Sequence, residues 1–277
     1  MMKIQTKQRG KVLSVRKTVV EQTRLRKSYE RRLYRQMVTF FEETGRRAVR
    51  ELGSGRMDIV DTETRLSQIL LPHYRAVMEN FSNRFAFTKQ EVEFERLVRA
   101  WMNSVGGNRI TSISENTRRK IRKIVLDGQI EGLGQERIGR NIRKQMSEPF
   151  TRYRSAMIAR TETHNAANYA NYSSAKNVGL PMKKRWVSTA DDRTRSHHAN
   201  MNGVEVDIDE PFLVTYKGVV YKMQHAGDPN GGAGNLINCR CVILYIEPDD
   251  FVIDEDTPQE QNLPTVDDLK PSTVVSQ

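Results

Sequence analysis

The residues of this chain best equipped for chemistry lie toward its carboxy-terminal third. Cys239 and Cys241 are the only two cysteines, two positions apart around Arg240. On a strand, side chains at i and i+2 point to the same side, so both thiols can face one ion, with His198 or His225 and a carboxylate completing four ligands. The candidate metal set is therefore His198, Cys239 and Cys241, and no cofactor is expected unless zinc binds there. A second reading stays open, because structural zinc spacing is usually Cys-x2-Cys and cysteine is commonly a small buried apolar residue. A third makes the cysteines and His198 nucleophile and base, although spacing alone does not bring them into contact. A disulfide across this spacing is badly strained, which fits a reducing compartment or a metal better than a secreted disulfide scaffold. His73 and His164 fall in helical stretches and read as packing or polar-face residues, and His197 reads as exposed.

Positive charge is the second chemical signature. The net charge of +11 divides unevenly: residues 1–160 hold 35 Lys and Arg against 17 Asp and Glu, residues 161–277 hold 10 against 17, and nine of those acids fall in 247–277. Arg118, Arg119, Lys120, Arg122 and Lys123 place five bases in six positions, and Arg137, Arg140, Arg143 and Lys144 stripe the next helix. Such rows can neutralise phosphates in a salt-sensitive, sequence-independent way, or simply be solvated helix faces. The persistence of the excess over 160 residues favours a polyanion partner, double-stranded DNA first. Zinc-finger spacing, an aromatic RNA-binding strand motif and a basic-region zipper are all missing, which argues against sequence-specific regulation. The stretch GDPNGGAGN lacks the lysine and strand-to-helix setting of a phosphate-binding loop and reads as a loop. No run approaches the ~18 to 20 apolar residues that span a bilayer, and the amino terminus lacks the apolar segment of a secretory signal, so no membrane role is expected.

The elements that must position these residues give an α+β fold, with a mainly helical amino-terminal half of long amphipathic helices, then a small α+β domain and an acidic flexible tail. The divisions are a basic flexible arm (1–17), a helical basic domain (18–150), a long helix plus small α+β unit (151–247) and an acidic disordered tail (248–277). Apolar residues from Leu25 to Phe41 recur at three- and four-residue steps, predicting one long, or once-broken, helix over Ser14–Leu52. Asp61 caps a second, which Pro72 should kink or break. A third covers Lys89–Met102 and is closed by Gly106 and Gly107. Ser112 and Glu115 have capping-box spacing for a fourth, which Gly128 terminates. A fifth spans Gln135–Met146 and a sixth Thr151–Asn177. Beyond Pro181, Trp186–Ser188, Val204–Val206 and Val242–Ile246 read as strands, and Leu213–Met223 as a hairpin around Lys217-Gly218.

Within the second half a series of short stretches follows in order. Ala159-Arg160-Thr161-Glu162-Thr163 leads to Trp186, then Asp191-Asp192-Arg193-Thr194-Arg195 and His198-Ala199-Asn200-Met201-Asn202-Gly203. Pro211-Phe212, Gly227-Asp228-Pro229 and Asn235-Leu236-Ile237-Asn238-Cys239-Arg240-Cys241 complete it. Together they resemble the phage head morphogenesis family, the Mu F-like minor head (capsid) proteins of tailed bacteriophages and prophages. The resemblance implies a protein of few copies per particle that acts in head assembly and handles packaged DNA. Its implied partners are the portal protein, a scaffold or major capsid protein and double-stranded DNA. The implied location is the virion, inside the head, and the host cytoplasm during assembly, with no established enzymatic activity. His225 departs from the aromatic or apolar residue usual there, and is either a local substitution or an extra ligand. Physical reading adds jobs: Arg160 and Glu162 form ion pairs that dock the sixth helix on the small domain, Arg240 is received bidentately by a carboxylate such as Asp192, and Gly203 makes a turn. Two alternatives remain, a metal-dependent hydrolase or transferase in the small domain, and an assembly chaperone whose positive face meets acidic protein.

Overall fold

The computed structural model describes residues 15–54, 61–82, 91–147, 150–189 and 191–246. Residues 1–14 of the expected arm, the whole expected tail, and Gly55, Phe85, Lys89 and Pro149 lie outside the described residues. The fold is α+β, a helical first half followed by a small sheet region.

Helix α1 (Val15–Gly53) forms as its periodicity predicts, and begins inside the stretch expected to be an arm. Its Leu33, Met37, Phe40 and Phe41 are buried. Helix α2 (Thr62–Ser82) starts directly after Asp61 and continues through Pro72. Leu66 and Leu70 before the proline and Tyr74, Val77 and Phe81 after it all bury on one stripe, and that packing outweighs the lost backbone hydrogen bond.

The expected stop at Gly106-Gly107 does not occur. Helix α3 (Glu91–Trp101), a π-helical turn (Met102–Gly106) and helix α4 (Gly107–Ile130) run on without a break, so Ser112 and Glu115 are mid-helix rather than a cap. Both glycines keep right-handed helical backbone. A Cβ on Gly106 would come within 3.0 Å of the Trp101 ring nitrogen and 2.8 Å of Met102 Sδ, so this glycine exists for packing. Nor does Gly128 end α4. It lies inside the helix against Ile138, and the chain reverses at Gly132 (φ +68), where Leu133 N–H returns to the Gly128 carbonyl at 2.8 Å. Helix α5 (Gln135–Gln145) then packs back along α4.

Helix α6 (Phe150–Asn177) is the spine of the molecule. It packs along α1 and α2, and every residue from Thr161 to Ala175 is buried. The small unit that follows holds β1 (Lys183–Val187), α7 (Ser196–Ala199), β2 (Glu205–Asp207), β3 (Phe212–Tyr216), β4 (Val219–Met223), a 3-10 turn (Pro229–Gly231), α8 (Gly232–Leu236) and β5 (Val242–Ile246). Strands β2, β1 and β5 make an antiparallel sheet in that order, and β3 and β4 make the expected hairpin with positive φ at Lys217 and Gly218. The glycine-rich stretch is no plain loop. Asp228 accepts from Asn230 N–H (2.8 Å) and Gln224 N–H (2.6 Å), and Pro229 follows at the first position, which starts the 3-10 turn and α8.

Candidate metal centre and basic face

The segment leading into β5 is fastened by its backbone and turns its thiols inward. Asn238, in left-handed conformation (φ 58), donates its N–H to Thr161 Oγ1 (3.1 Å) and accepts at Oδ1 from Arg160 (2.9 Å). The Cys241 carbonyl accepts from His164 Nε2 (2.9 Å) and from Arg26 (3.4 Å), and Arg26 also reaches the Arg240 carbonyl (3.2 Å). Helices α1 and α6 thus hold this strand entry. Burial, with the nearby Arg26 charge, lowers the His164 pKa to about 3, so its ring is neutral and Nε2 donates. Sequence reading placed His164 as a packing or polar-face residue, gave Arg26 no role, and missed this clamp.

With the backbone held, Cys239 and Cys241 point at His198 on α7. His198 Nδ1 lies 3.6 Å from Cys239 Sγ and 3.5 Å from Cys241 Sγ, and the three ligand atoms all lie within 4.8 Å of one another. All three residues are at most 3% exposed. On its far side, His198 Nε2 meets Asn235 Oδ1 at 3.1 Å, while Asn235 Nδ2 donates to the Gly231 carbonyl at 2.7 Å. That second bond fixes the amide, so Nε2 carries the proton and Nδ1 offers its lone pair to the sulfurs. The Trp186 ring stands edge-on to His198 (5.5 Å) and Phe212 (5.3 Å) and walls the cluster. The hydrogen bond between the thiols, reinforced by burial, pushes Cys239 up, and the same bond pulls Cys241 down.

Among the described residues no carboxylate joins this group, and His225 is not in it. His225 packs between Tyr169 (6.2 Å) and Tyr172 (5.7 Å), with Nδ1 on the Ala226 carbonyl, and is thus a packing residue. His197 is half-buried against Tyr216 (4.5 Å between rings) rather than exposed.

Arg240 finds a bidentate carboxylate, but the partner is Asp191 (2.7 Å for one of the two contacts) and Asp192 is exposed. The turn decides this: Asp191 Oδ1 accepts from Arg193 N–H (3.2 Å) and Thr194 Oγ1 (3.1 Å), which fixes the Asp191 side chain at the turn's centre. The hydrogen bond from Arg240, ahead of Thr194, holds its carboxyl well below the usual carboxylate range. Arg193 approaches Asp191 at 3.5 Å, Arg195 donates to the Ile237 carbonyl, and Gly203 (φ +82) donates to the Trp186 carbonyl at 2.8 Å, a turn as expected.

Glu162 does not dock the small unit. Its buried carboxylate accepts from Arg109 on α4 (2.8 Å) and Tyr74 on α2 (2.9 Å), inside the helical half, because residue 162 faces the opposite side of α6 from His164. Of the expected pair only Arg160 reaches the small unit, through the Asn238 amide.

The basic residues lie on two adjacent helices. Helices α4 and α5 are antiparallel, in a register marked by the Gly128–Ile138 contact and by Lys120 Nζ on Gln145 Oε1 (3.5 Å). This register sets the α4 cluster alongside Arg143 and Lys144. Arg119, Arg122, Lys123, Arg137, Arg140, Arg143 and Lys144 are exposed, and Arg118 and Lys120 are half-buried. Lys123 pairs with Asp127 and Arg140 with Glu136, so the acids of these helices offset charge near the α4–α5 connection.

The long helix α6 thus leads into a small sheet unit that carries the motif string, its strand entry clamped from α1 and α6. Residues 119–244 match the family of Phage Mu protein F like proteins. The minor head protein GP7 of Bacillus phage SPP1 is 28% identical over 124 residues, 44% of this chain and 38% of that protein. A protein of Enterococcus faecalis (strain ATCC 700802 / V583) named NAD(+)--arginine ADP-ribosyltransferase EFV is 33% identical over 128 residues, 44% of this chain and 24% of that protein. The chain thus spans a quarter to two fifths of these relatives' lengths. No solved structure matches. No helix among the described residues is long and apolar enough to cross a membrane.

Proposed function

We propose that this chain is a minor head protein of a tailed bacteriophage or prophage, capsid-associated next to the portal, that contacts packaged double-stranded DNA through the α4–α5 face and catalyses no reaction. The observation that carries the reading is that nine bases separated in sequence lie on two adjacent helices, eight of them within the segment that matches the Mu F-like family. The likeness to an ADP-ribosyltransferase covers a quarter of that protein and brings no activity with it. Portal, scaffold and major capsid partners follow from the head-protein relationship, as does a virion location.

The test is fluorescence anisotropy with two duplexes of unrelated sequence across a salt series. Expected are equal affinities for the two and a steep fall with salt. In the Arg119, Arg122, Arg143 and Lys144 to Ala quadruple variant, affinity drops at least about tenfold at low salt and the log–log salt slope shrinks by roughly 3 to 4. An unchanged slope in a folded variant overturns the DNA assignment. Failure to co-sediment with portal-bearing procapsids overturns the assembly assignment.

A further inference from the structure

We propose that His198 Nδ1, Cys239 Sγ and Cys241 Sγ bind one zinc ion that clips α7 to the entry of β5. A tetrahedral ion with Zn–S near 2.3 Å and Zn–N near 2.0 to 2.1 Å requires its sulfur and nitrogen ligands to be roughly 3.5 to 3.6 Å apart. The two sulfur-to-nitrogen separations are 3.6 and 3.5 Å. A metal-free arrangement accounts for them less well, because Nδ1 has one lone pair and two thiols stand at equal range from it. An ion uses all three groups at once.

The surroundings agree with this assignment. The Asn235 amide, locked by its bond to Gly231, holds the His198 tautomer whose free lone pair faces the sulfurs, which is the usual service of a residue behind a metal-bound histidine. Two thiolates and a neutral imidazole form a borderline-soft set suited to zinc rather than to magnesium or calcium. Binding is an exchange without redox change: the ion replaces the thiol protons, which leave to solvent, and three metal–ligand bonds form. The fourth position goes to a ligand from outside this set. The ion would join two chain segments, α7 and the entry of β5, so its role is structural.

The full-length protein, purified under reducing conditions without chelator, should carry about one zinc per chain, and a folded Cys239→Ser/Cys241→Ser variant less than about 0.2. To cover variants that fail to fold, chelator-stripped wild-type protein is titrated with Co(II). Expected are visible bands of tetrahedral cobalt and thiolate-to-cobalt charge transfer in the near ultraviolet, both abolished by one equivalent of Zn(II). Wild-type protein that is folded, holds less than about 0.2 zinc and is silent with cobalt overturns the proposal, as does zinc fully retained in the folded double variant. None of these outcomes bears on the head-protein reading, which stands on the α4–α5 face.

Discussion

At the scale of single residues, geometry separates neighbours that composition treats alike. Asp191 and Asp192 are adjacent carboxylates, yet only Asp191 is turned by its own loop toward Arg240. Residue type announced an arginine-to-carboxylate pair; which carboxylate depended on a turn whose closing contacts involve Thr189 and Thr194. The His198, Cys239 and Cys241 group was legible from i, i+2 thiols and a histidine, whereas Asn235, which sets the tautomer, gave no signal beyond its place in the motif string. Lys184 was not legible at all. It sits mid-strand, fully buried, donating to the Gln224 carbonyl (3.0 Å) and Oε1 (2.6 Å) with Tyr172 and Phe212 rings alongside. Burial lowers its pKa from 10.5 to about 7. Between those values the unfolded chain holds the proton and the folded chain does not, so stability rises with pH across the window, while below about 7 both states are charged and the full penalty applies. In urea titrations, Lys184→Met should flatten this rise by up to about 1.4 kcal/mol per pH unit relative to wild type. Parallel curves for the two proteins would show that Lys184 stays charged in the fold.

At the scale of elements, helix type and extent were readable from apolar spacing, and the errors cluster at glycines. Gly106 and Gly128 read as helix stops, and two more glycines, Gly45 and Gly139, lie within helices. In the fold they are contact points, where a Cβ would meet Met146, Trp101 and Met102, Ile138 and Val49 respectively. A stop glycine and a packing glycine look the same in one dimension, because the difference lies in what approaches from another helix. The true reversal at Gly132 has positive φ and open space. Gly128→Ala places a methyl 2.7 Å from Ile138 Cγ1, and Ile138 is too buried to move away. Overpacking of about 1 to 3 kcal/mol should exceed the helix-propensity gain of up to about 1 kcal/mol, giving net destabilisation in chemical denaturation. Gly134→Ala, with φ −66 and nothing within 4 Å, should be neutral or slightly stabilising and serves as the control. Helix α6 escaped in a different way. Its Asn, Ser and Thr residues from Thr161 to Ser174 are polar in type, yet they are buried because α1 and α2 pack on one part of the helix surface and the small unit covers another.

At the scale of the whole molecule, the question is whether the small unit and the basic helices depend on one another. The main helical core draws on residues Leu33 to Ala170, all before Pro181, so its apolar packing needs nothing from the sheet region. The two parts meet through directed hydrogen bonds, His164 and Arg26 on the Cys241 and Arg240 carbonyls and Arg160 and Thr161 on Asn238, and through packing of Tyr172 and Ala175 on Met182 and Ile208 and of Tyr169 and Tyr172 on His225. A chain ending at Pro181 returns those donors to water instead of leaving them buried and unpaired, so the loss is one of stability rather than of fold. It also removes 16 acids against 9 bases while keeping every residue of the α4–α5 face. The field over that face therefore becomes more positive, and binding steered by it strengthens. The expected outcome is a helical circular-dichroism spectrum, a lower Tm, and DNA affinity at low salt equal to or above that of the full chain. A folded truncated chain whose affinity falls tenfold would place the DNA contact in the small unit, and would move the search from Arg119 and Arg143 to the bases beyond Pro181.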